Sequence, residues 1–295
     1  MTTRVLTAAM DIVCTDGVVL DATSFLPDGP PRGGVLIVSA MGVSQRFYAP
    51  VATWLATQGF AVLTFDYRGM GRSRRGSLRD VDIDLVGWAE RDVAAAVSAL
   101  KALVPDAPLT WLGHSLGGQL VGLTPNHHDV QQVITIASGS GYWRENAPQL
   151  KWRVPLLWWG FAPVLVTTFG YFPGARLKMV GDLPAGVMRQ WRRWCLHPRY
   201  AVGVQPELAA RFASVTTPIR SLSLLDDELL STRNIDALHD LYVNAQQQRV
   251  RLGRHDANGQ RIGHFGFFRE HHRTLWEQHL LPHLAAHTPT SSTTT

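Results

Sequence analysis

Three residue types placed far apart in this chain could cooperate in nucleophilic chemistry. Gly113-His114-Ser115-Leu116-Gly117 sets a serine between small neighbours, at the junction of an apolar run and a helical run. Asp226-Asp227-Glu228 offers three carboxylates directly after another apolar run, and His264 lies between Gly263 and Phe265 near the end of the chain. A serine hydroxyl attacks a carbonyl carbon only when a base removes its proton, and the base works best when a carboxylate orients it. The order serine, acid, histidine along the chain is one in which such a triad occurs. The residues therefore point to acyl transfer, with Ser115 as nucleophile, His264 as base and Asp227 as the orienting acid. Asp226 is the nearest competitor and Glu228 a more distant one. Of the twelve histidines, the pairs His127-His128 and His271-His272 read as solvated residues beside helix ends, whereas His264 is flanked by glycines and aromatics at the position expected of the base.

The serine needs a particular local frame. A sharp strand-to-helix turn forces its backbone into a strained conformation, and the residues two positions away must be small for the chain to pass. Gly113, Gly117 and Gly118 supply that room. The strand expected before the serine is Leu109–Leu112, the helix after it Leu116–Leu123. The apolar runs Val35–Ser39, Ala61–Phe65, Val133–Ala137 and Ile219–Leu225 read as further buried strands, and 248–252 as another. Helical spacing marks Tyr48–Gln58, 83–103, 233–242 and 269–285. Residues 4–26 hold two β-rich runs around a Thr15-Asp16-Gly17 turn. Strands alternating with helices predict a mostly parallel central sheet covered by helices on both faces.

The alternation stops after Ser140. Residues 141–212 are rich in Trp, Arg, Pro and Gly and read as an inserted helical cap, so the expected organisation is a core of 1–140 and 213–286, the cap at 141–212, and a disordered polar tail at 287–295. The cap holds six of the ten tryptophans. Adjacent Trp158 and Trp159 point in different directions on a helix, and they are the residues expected to contact substrate. One reading gives this apolar face to an acyl pocket. Another docks it on a membrane surface with help from Arg144, Lys151 and Arg153. The blander one makes it the cap's own small core.

With 295 residues, 45% of them hydrophobic and only 17% charged, the chain suits a compact α/β protein and excludes a disordered or coiled-coil one. The net charge of +5 is spread as scattered arginines without interleaved aromatics, so no nucleic-acid groove is expected. Arg68, Arg72, Arg74, Arg75 and Arg79 cluster after the strand at 61–65. They form either a solvated loop with a structural Arg68, or a recognition site for an anionic group. Two cysteines, Cys14 and Cys195, read as free buried thiols of a reducing compartment. No secretory signal is read at the N-terminus. The apolar stretch 155–172 is interrupted by Pro163 and glycines, so a soluble, cytoplasmic protein is expected, without cofactor or metal.

These motifs together resemble the α/β-hydrolase superfamily, in its serine-aminopeptidase and monoglyceride-lipase-like branch. Asp66-Tyr67-Arg68-Gly69-Met70-Gly71-Arg72-Ser73 is similar to the family's loop after its fourth strand. Gly113–Gly118 matches its nucleophile elbow, Leu224–Leu229 its acid loop with the acid at Asp227, and Gly263-His264-Phe265 its histidine loop. The resemblance covers roughly 10–140 and 215–285. It implies the α/β-hydrolase fold and a carboxylic ester substrate with an apolar acyl group. Peptidase, thioesterase and acyltransferase activities remain open on the same triad, as does a scaffold that only binds ligands. The family's His-Gly after the third strand is here Ser39-Ala40, followed by Met41-Gly42. The oxyanion-hole donors implied are the backbone N–H groups of Met41 and Leu116.

Overall fold

The computed structural model describes residues 4–286; the tail expected to be disordered, 287–295, lies outside the described residues. Eight strands form one sheet. β1 (Leu6–Val13) and β2 (Val19–Leu26) make an antiparallel hairpin across the Asp16-Gly17 turn, where Gly17 takes φ 81°. β2 joins the sheet antiparallel to β4 (Phe60–Phe65). β3 (Gly33–Val38), β4, β5 (Leu109–His114), β6 (Gln132–Ile136), β9 (Ile219–Leu224) and β10 (Gln247–Leu252) are parallel, and the order is β1-β2-β4-β3-β5-β6-β9-β10. β7 (Tyr171–Phe172) and β8 (Leu183–Pro184) form a separate two-residue pair within the long connection from β6 to β9.

The continuous apolar runs are explained by burial on both sides. Every residue of β3, β4, β5 and β9 is buried. Alternate side chains feed opposite layers. Leu36, Val38, Leu63 and Phe65 pack with the helical segment Leu85–Leu103. Val35, Ile37 and Val62 pack with the helix Ala49–Thr57 and the C-terminal helices. The edge strand β10 is instead polar on its open side, where Arg249 and Arg251 pair with Asp236, a charged edge that discourages further strand pairing.

The 83–103 helix differs from the regular one its spacing predicts. It begins at Leu85, where Asp84 caps the N–H of Gly87 at 2.8 Å, and Trp88–Val93 winds as a π-turn. The extra residue in that turn accompanies an inward Asp92, fully buried, which accepts the Arg68 backbone N–H at 2.8 Å and its Nε at 2.6 Å. Arg68 also reaches Asp16 in the first hairpin at 2.6 Å. One guanidinium thus ties the β1–β2 turn, the loop after β4 and the π-turn together.

The cap side chains do not form a core of their own. Val154, Leu157, Trp158, Val166, Phe172 and Trp194 belong to the same continuous buried cluster as Leu36, Trp88 and Leu116. The apolar run forms a helical segment, π-wound over Leu156–Phe161 and α-helical over Ala162–Phe169, and Gly170 ends it at φ 75°. Among the described residues no helix is long and apolar enough to cross a membrane. Cys14 and Cys195 are free and buried.

Removing one partner of a buried charge pair leaves the other uncompensated. We expect Arg68→Met to destabilise the protein by about 3–5 kcal/mol, read from the midpoint of urea unfolding. A midpoint like that of the wild type would show that Asp92 and Asp16 do not need the guanidinium.

Candidate active site

Sheet topology chooses the place. Between β3 and β5 the strand order reverses, and the carboxyl ends of strands at such a switch point open a crevice. Val38, the last residue of β3, pairs with Gly113 of β5. Met41 follows the first strand by a short turn and Ser115 follows the second directly.

Ser115 has φ 51° and ψ −111°, a backbone that L-residues rarely adopt. Glycine is required at both flanks by contact distance. A Cβ on Gly117 would lie 2.0 Å from the Val38 carbonyl oxygen, and one on Gly113 would lie 2.7 Å from the backbone of Gly117 and Gly118. The turn is held from outside by the Trp111 indole, which donates to the Gly117 carbonyl at 2.9 Å, and by the Ser115 N–H, which donates to Ile136 at 2.9 Å. Leu116 is the first residue of the helix, so its N–H has no acceptor within that helix. It sits where the helix dipole favours negative charge.

His264 and its loop are held by three successive carboxylates, each in a different way. Asp227 Oδ2 lies 2.7 Å from His264 Nδ1, and both side chains are almost completely buried. Asp227 Oδ1 accepts the N–H groups of Leu229 and Leu230 at 2.7 and 3.0 Å, which fixes the carboxylate plane. Asp226 accepts the N–H groups of Ile262 and Gly263 at 3.0 and 2.8 Å, and Glu228 accepts that of His264 at 3.0 Å while pairing with Arg261. Asp226 and Glu228 therefore bind the backbone of the histidine loop, and Asp227 binds its imidazole. The anchoring by Asp226 and Glu228 was not foreseen from sequence. Gly263 takes φ 63°, which turns the chain into the short helix Gly263–Gly266.

The loop after β4 supports the turn after β3. Asp66 accepts the N–H of Gln45 at 2.8 Å and that of Arg72 at 2.9 Å, and Ser73 Oγ donates to the Asp66 carbonyl at 2.6 Å. Each arginine of the 68–79 cluster has a protein partner. Beyond Arg68, Arg72 pairs with Asp21, Arg74 with Asp182, Arg75 with Asp11, and Arg79 donates to the Phe169 carbonyl. These contacts favour the structural reading of the cluster over anion recognition.

Trp158 and Trp159 part company as adjacent helical residues should. Trp158 is buried edge-on to Trp191, with ring centroids 5.0 Å apart, whereas Trp159 stands against Trp143 and is half exposed. A cleft of about 840 Å³ lies beside the cap, lined by Asp84, Glu90, Val166, Arg189 and Arg192 among others, and none of Ser115, Asp227 or His264 lines it. Among the described residues no group of three or more His, Cys, Asp or Glu side chains could hold a metal ion. His272, expected to be solvated, is buried instead, and its Nε2 meets the Arg261 carbonyl at 3.1 Å. The sequence shows His271 and His272 only as a pair; the turn Glu270–His272 sends one out and one in.

Comparison with known proteins agrees with this architecture. The sequence model of the serine aminopeptidase S33 family matches residues 29–168. No curated protein sequence matches. Among solved structures, DcsB in complex with its substrate analogue is similar at a TM-score of 0.68 and 14% identity, over 97% of this chain and 100% of that one. A soluble variant of monoglyceride lipase from Saccharomyces cerevisiae is similar at 0.64 and 16%, over 98% and 96%. A thermostable carboxyl esterase from Bacillus coagulans is similar at 0.57 and 15%, over 83% and 90%. The chain has the α/β-hydrolase fold, and its residues 29–168 are similar to the serine aminopeptidase S33 family.

Two buried histidines carry a pH consequence. Burial drives His114 well below the usual histidine range, aided by the neighbouring His264, and burial takes His239 down to about 4. Both are neutral when folded, whereas the unfolded chain protonates them below about pH 6.5. Their contribution is complete above that pH and is lost as pH falls through 6.5 toward the folded values, at up to about 1.4 kcal/mol per pH unit for each. We expect urea midpoints to fall between pH 7.5 and 5, and His114→Gln to flatten that slope by about one proton. An identical slope in the variant would show that His114 does not take part.

Proposed function

We propose that the protein is a serine hydrolase that cleaves a carboxylic ester with an apolar acyl group through an acyl-enzyme. The observation that carries this reading is the buried 2.7 Å contact of His264 Nδ1 with Asp227, in a chain whose Ser115 occupies a strained strand-to-helix elbow at the switch point of the same sheet. In this reading Nε2 of His264 removes the proton of Ser115 Oγ as Oγ bonds to the ester carbonyl carbon. The N–H groups of Met41 and Leu116 stabilise the oxyanion, and Asp227 stabilises the imidazolium. The tetrahedral adduct expels the alcohol, which takes the proton from His264. Water then repeats the sequence on the acyl-enzyme and releases the acid.

Nonpolar acyl preference is proposed from the cap. Trp158 lies on its buried side and is assigned to the acyl chain. The outward side differs: seven of the eleven exposed large hydrophobic side chains among the described residues fall between Trp152 and Met179. Trp152, Leu156, Trp159 and Val164 among them follow approximately helical spacing. Residues 148–181 carry Lys151, Arg153, Arg176 and Lys178 and no Asp or Glu. An apolar face on a stretch whose own charges are all cationic fits the boundary of an anionic lipid layer, so this face, Trp159 included, is proposed to dock there.

The triad is tested by substitution. Ser115→Ala should abolish ester hydrolysis and fluorophosphonate labelling, and Asp227→Asn should lower kcat by about 10⁴-fold. Asp226→Asn should cost less than about tenfold, since Asp226 holds the backbone of Ile262 and Gly263 and the side chain of Arg254 but not the imidazole; a dead Asp226→Asn beside an active Asp227→Asn would reassign the acid. Each methylene added to a p-nitrophenyl ester should raise kcat/KM about fourfold until the pocket fills, from about 0.8 kcal/mol per buried CH₂. A profile that peaks at acetyl would remove the acyl assignment. For the outer face, cosedimentation with anionic vesicles at low salt should fall at least about tenfold in Trp152→Glu/Leu156→Glu. Absence of wild-type binding would leave that face without its proposed partner.

A further inference from the structure

A buried line of polar groups runs beside the proposed triad and has no part in the proton transfers. Ala40 N–H donates to Tyr48 Oη at 2.9 Å, Tyr48 Oη lies 2.8 Å from His114 Nδ1, and His114 Nε2 lies 3.0 Å from the His264 carbonyl oxygen. The two ends fix every proton between them. An amide N–H only donates and a carbonyl oxygen only accepts. His114 must therefore carry its proton on Nε2 and donate it to His264. Its Nδ1 is then an acceptor, which takes the hydroxyl proton of Tyr48, whose oxygen accepts from Ala40. One neutral tautomer satisfies the whole line.

Its surroundings keep it in that state. Tyr48 and His114 are completely buried. The rings of Phe268 and Phe265 pack on the His114 imidazole at 4.7 and 5.6 Å, and the His264 ring lies at 5.2 Å. Phe268 also packs edge-on against Tyr48 at 4.9 Å. With both side chains completely buried, breaking any of the three hydrogen bonds would leave its partner unpaired.

The line joins the segments whose relative position matters most. Ala40 precedes Met41, the proposed oxyanion donor. His114 precedes Ser115. His264 is the proposed base. They come from the turn after β3, the end of β5 and the loop after β10. We propose that His114, held by Tyr48, is a positioning residue that sets the main chain of the base against the nucleophile and the oxyanion turn. This rests on the hydrolase reading above. The competing possibility is that the two side chains only satisfy two buried backbone groups, in which case they would support stability and leave turnover alone.

The test separates these outcomes. Three variants are compared with wild type: His114→Met, which removes both ring nitrogens; His114→Gln, which restores an amide donor near the position of Nε2; and Tyr48→Phe, which removes one oxygen. For each, kcat and KM are measured on a soluble p-nitrophenyl ester, with the rate of fluorophosphonate labelling of Ser115, well below the variant's Tm. His114→Met should lower kcat by about 30-fold or more with KM within about twofold, and labelling should slow in parallel. Tyr48→Phe should lower kcat by about tenfold, and His114→Gln should return it to within about fivefold of wild type. Wild-type kcat in folded His114→Met, or equal losses in His114→Met and His114→Gln, would overturn the proposal. Should His114→Met not fold, unchanged kcat and labelling in Tyr48→Phe overturns it. A wild-type protein that neither labels nor hydrolyses overturns the hydrolase reading instead, a result distinct from variants that label as fast as the wild type.

Discussion

Much of the site geometry depends on the close approach of the elbow to β3. Because the carbonyl of Val38 occupies the space where a side chain on Gly117 would begin, the helix after Ser115 can lie against the end of β3. That approach brings the Leu116 N–H to the same crevice as the turn carrying Met41. The cost is the left-handed backbone of Ser115, a strain of order 1–3 kcal/mol that persists only where the surroundings over-determine it. They do so here: the Trp111 indole holds Gly117, the Tyr242 hydroxyl donates to the Gly118 carbonyl, and the Ser115 N–H is tied to β6. A serine so exposed to view in sequence is thus the product of residues whose contributions lie in its walls.

Asp227 and His264 answer to a second constraint, that two distant loops must meet. Asp226-Asp227-Glu228 is a contiguous triplet, yet its three side chains divide the work. Two hold the backbone on either side of Gly263 and the third holds the imidazole. Consecutive residues outside regular structure can point in such different directions, and a carboxylate has lone pairs enough to accept two N–H groups at once. The triplet is therefore better understood as a clasp with one chemically distinct member than as three candidates for one role.

This division explains what could be read without coordinates. The buried strands were legible because a run with both faces covered is apolar throughout, as in Val35–Val38 and Ala61–Phe65. The elbow was legible because only glycine tolerates those contacts. The clasp functions of Asp226 and Glu228 were not, since a carboxylate that accepts backbone N–H groups has the same sequence signature as one that orients a base. His114 was hidden for a related reason: its partners, Tyr48 and the His264 carbonyl, are distant in sequence, and one of them is main chain. The π-turn at Trp88–Val93 was also invisible, because a single turn of altered winding leaves Leu85, Trp88 and Ala89 on the buried side that helical spacing already gives them.

The cap illustrates the limit of reading an insertion as a separate part. Its spacing and composition suggest a unit laid over the sheet, but its fastenings run deep into the core. Gln190 of the helix Ala185–Leu196 accepts the N–H groups of Leu85 and Val86, so a cap side chain occupies the start of a core helix. Arg74 pairs with Asp182, and Arg79 holds the carbonyl of Phe169. Gly42, at φ 70° in the turn after β3, approaches Gly181 so closely that a Cβ there would lie 2.5 Å from its nitrogen. Swinging this whole insertion away would uncover Phe172 and Trp194, both fully buried, at about 1.5–3 kcal/mol for a side chain of phenylalanine size and more for tryptophan. It would also leave the Gln190 bonds unmade. The segment around Trp152–Phe161 has fewer such ties and carries four of the seven exposed large hydrophobic side chains described in the insertion. Displacing this outer segment alone would therefore break fewer contacts than a hinged opening of the whole insertion.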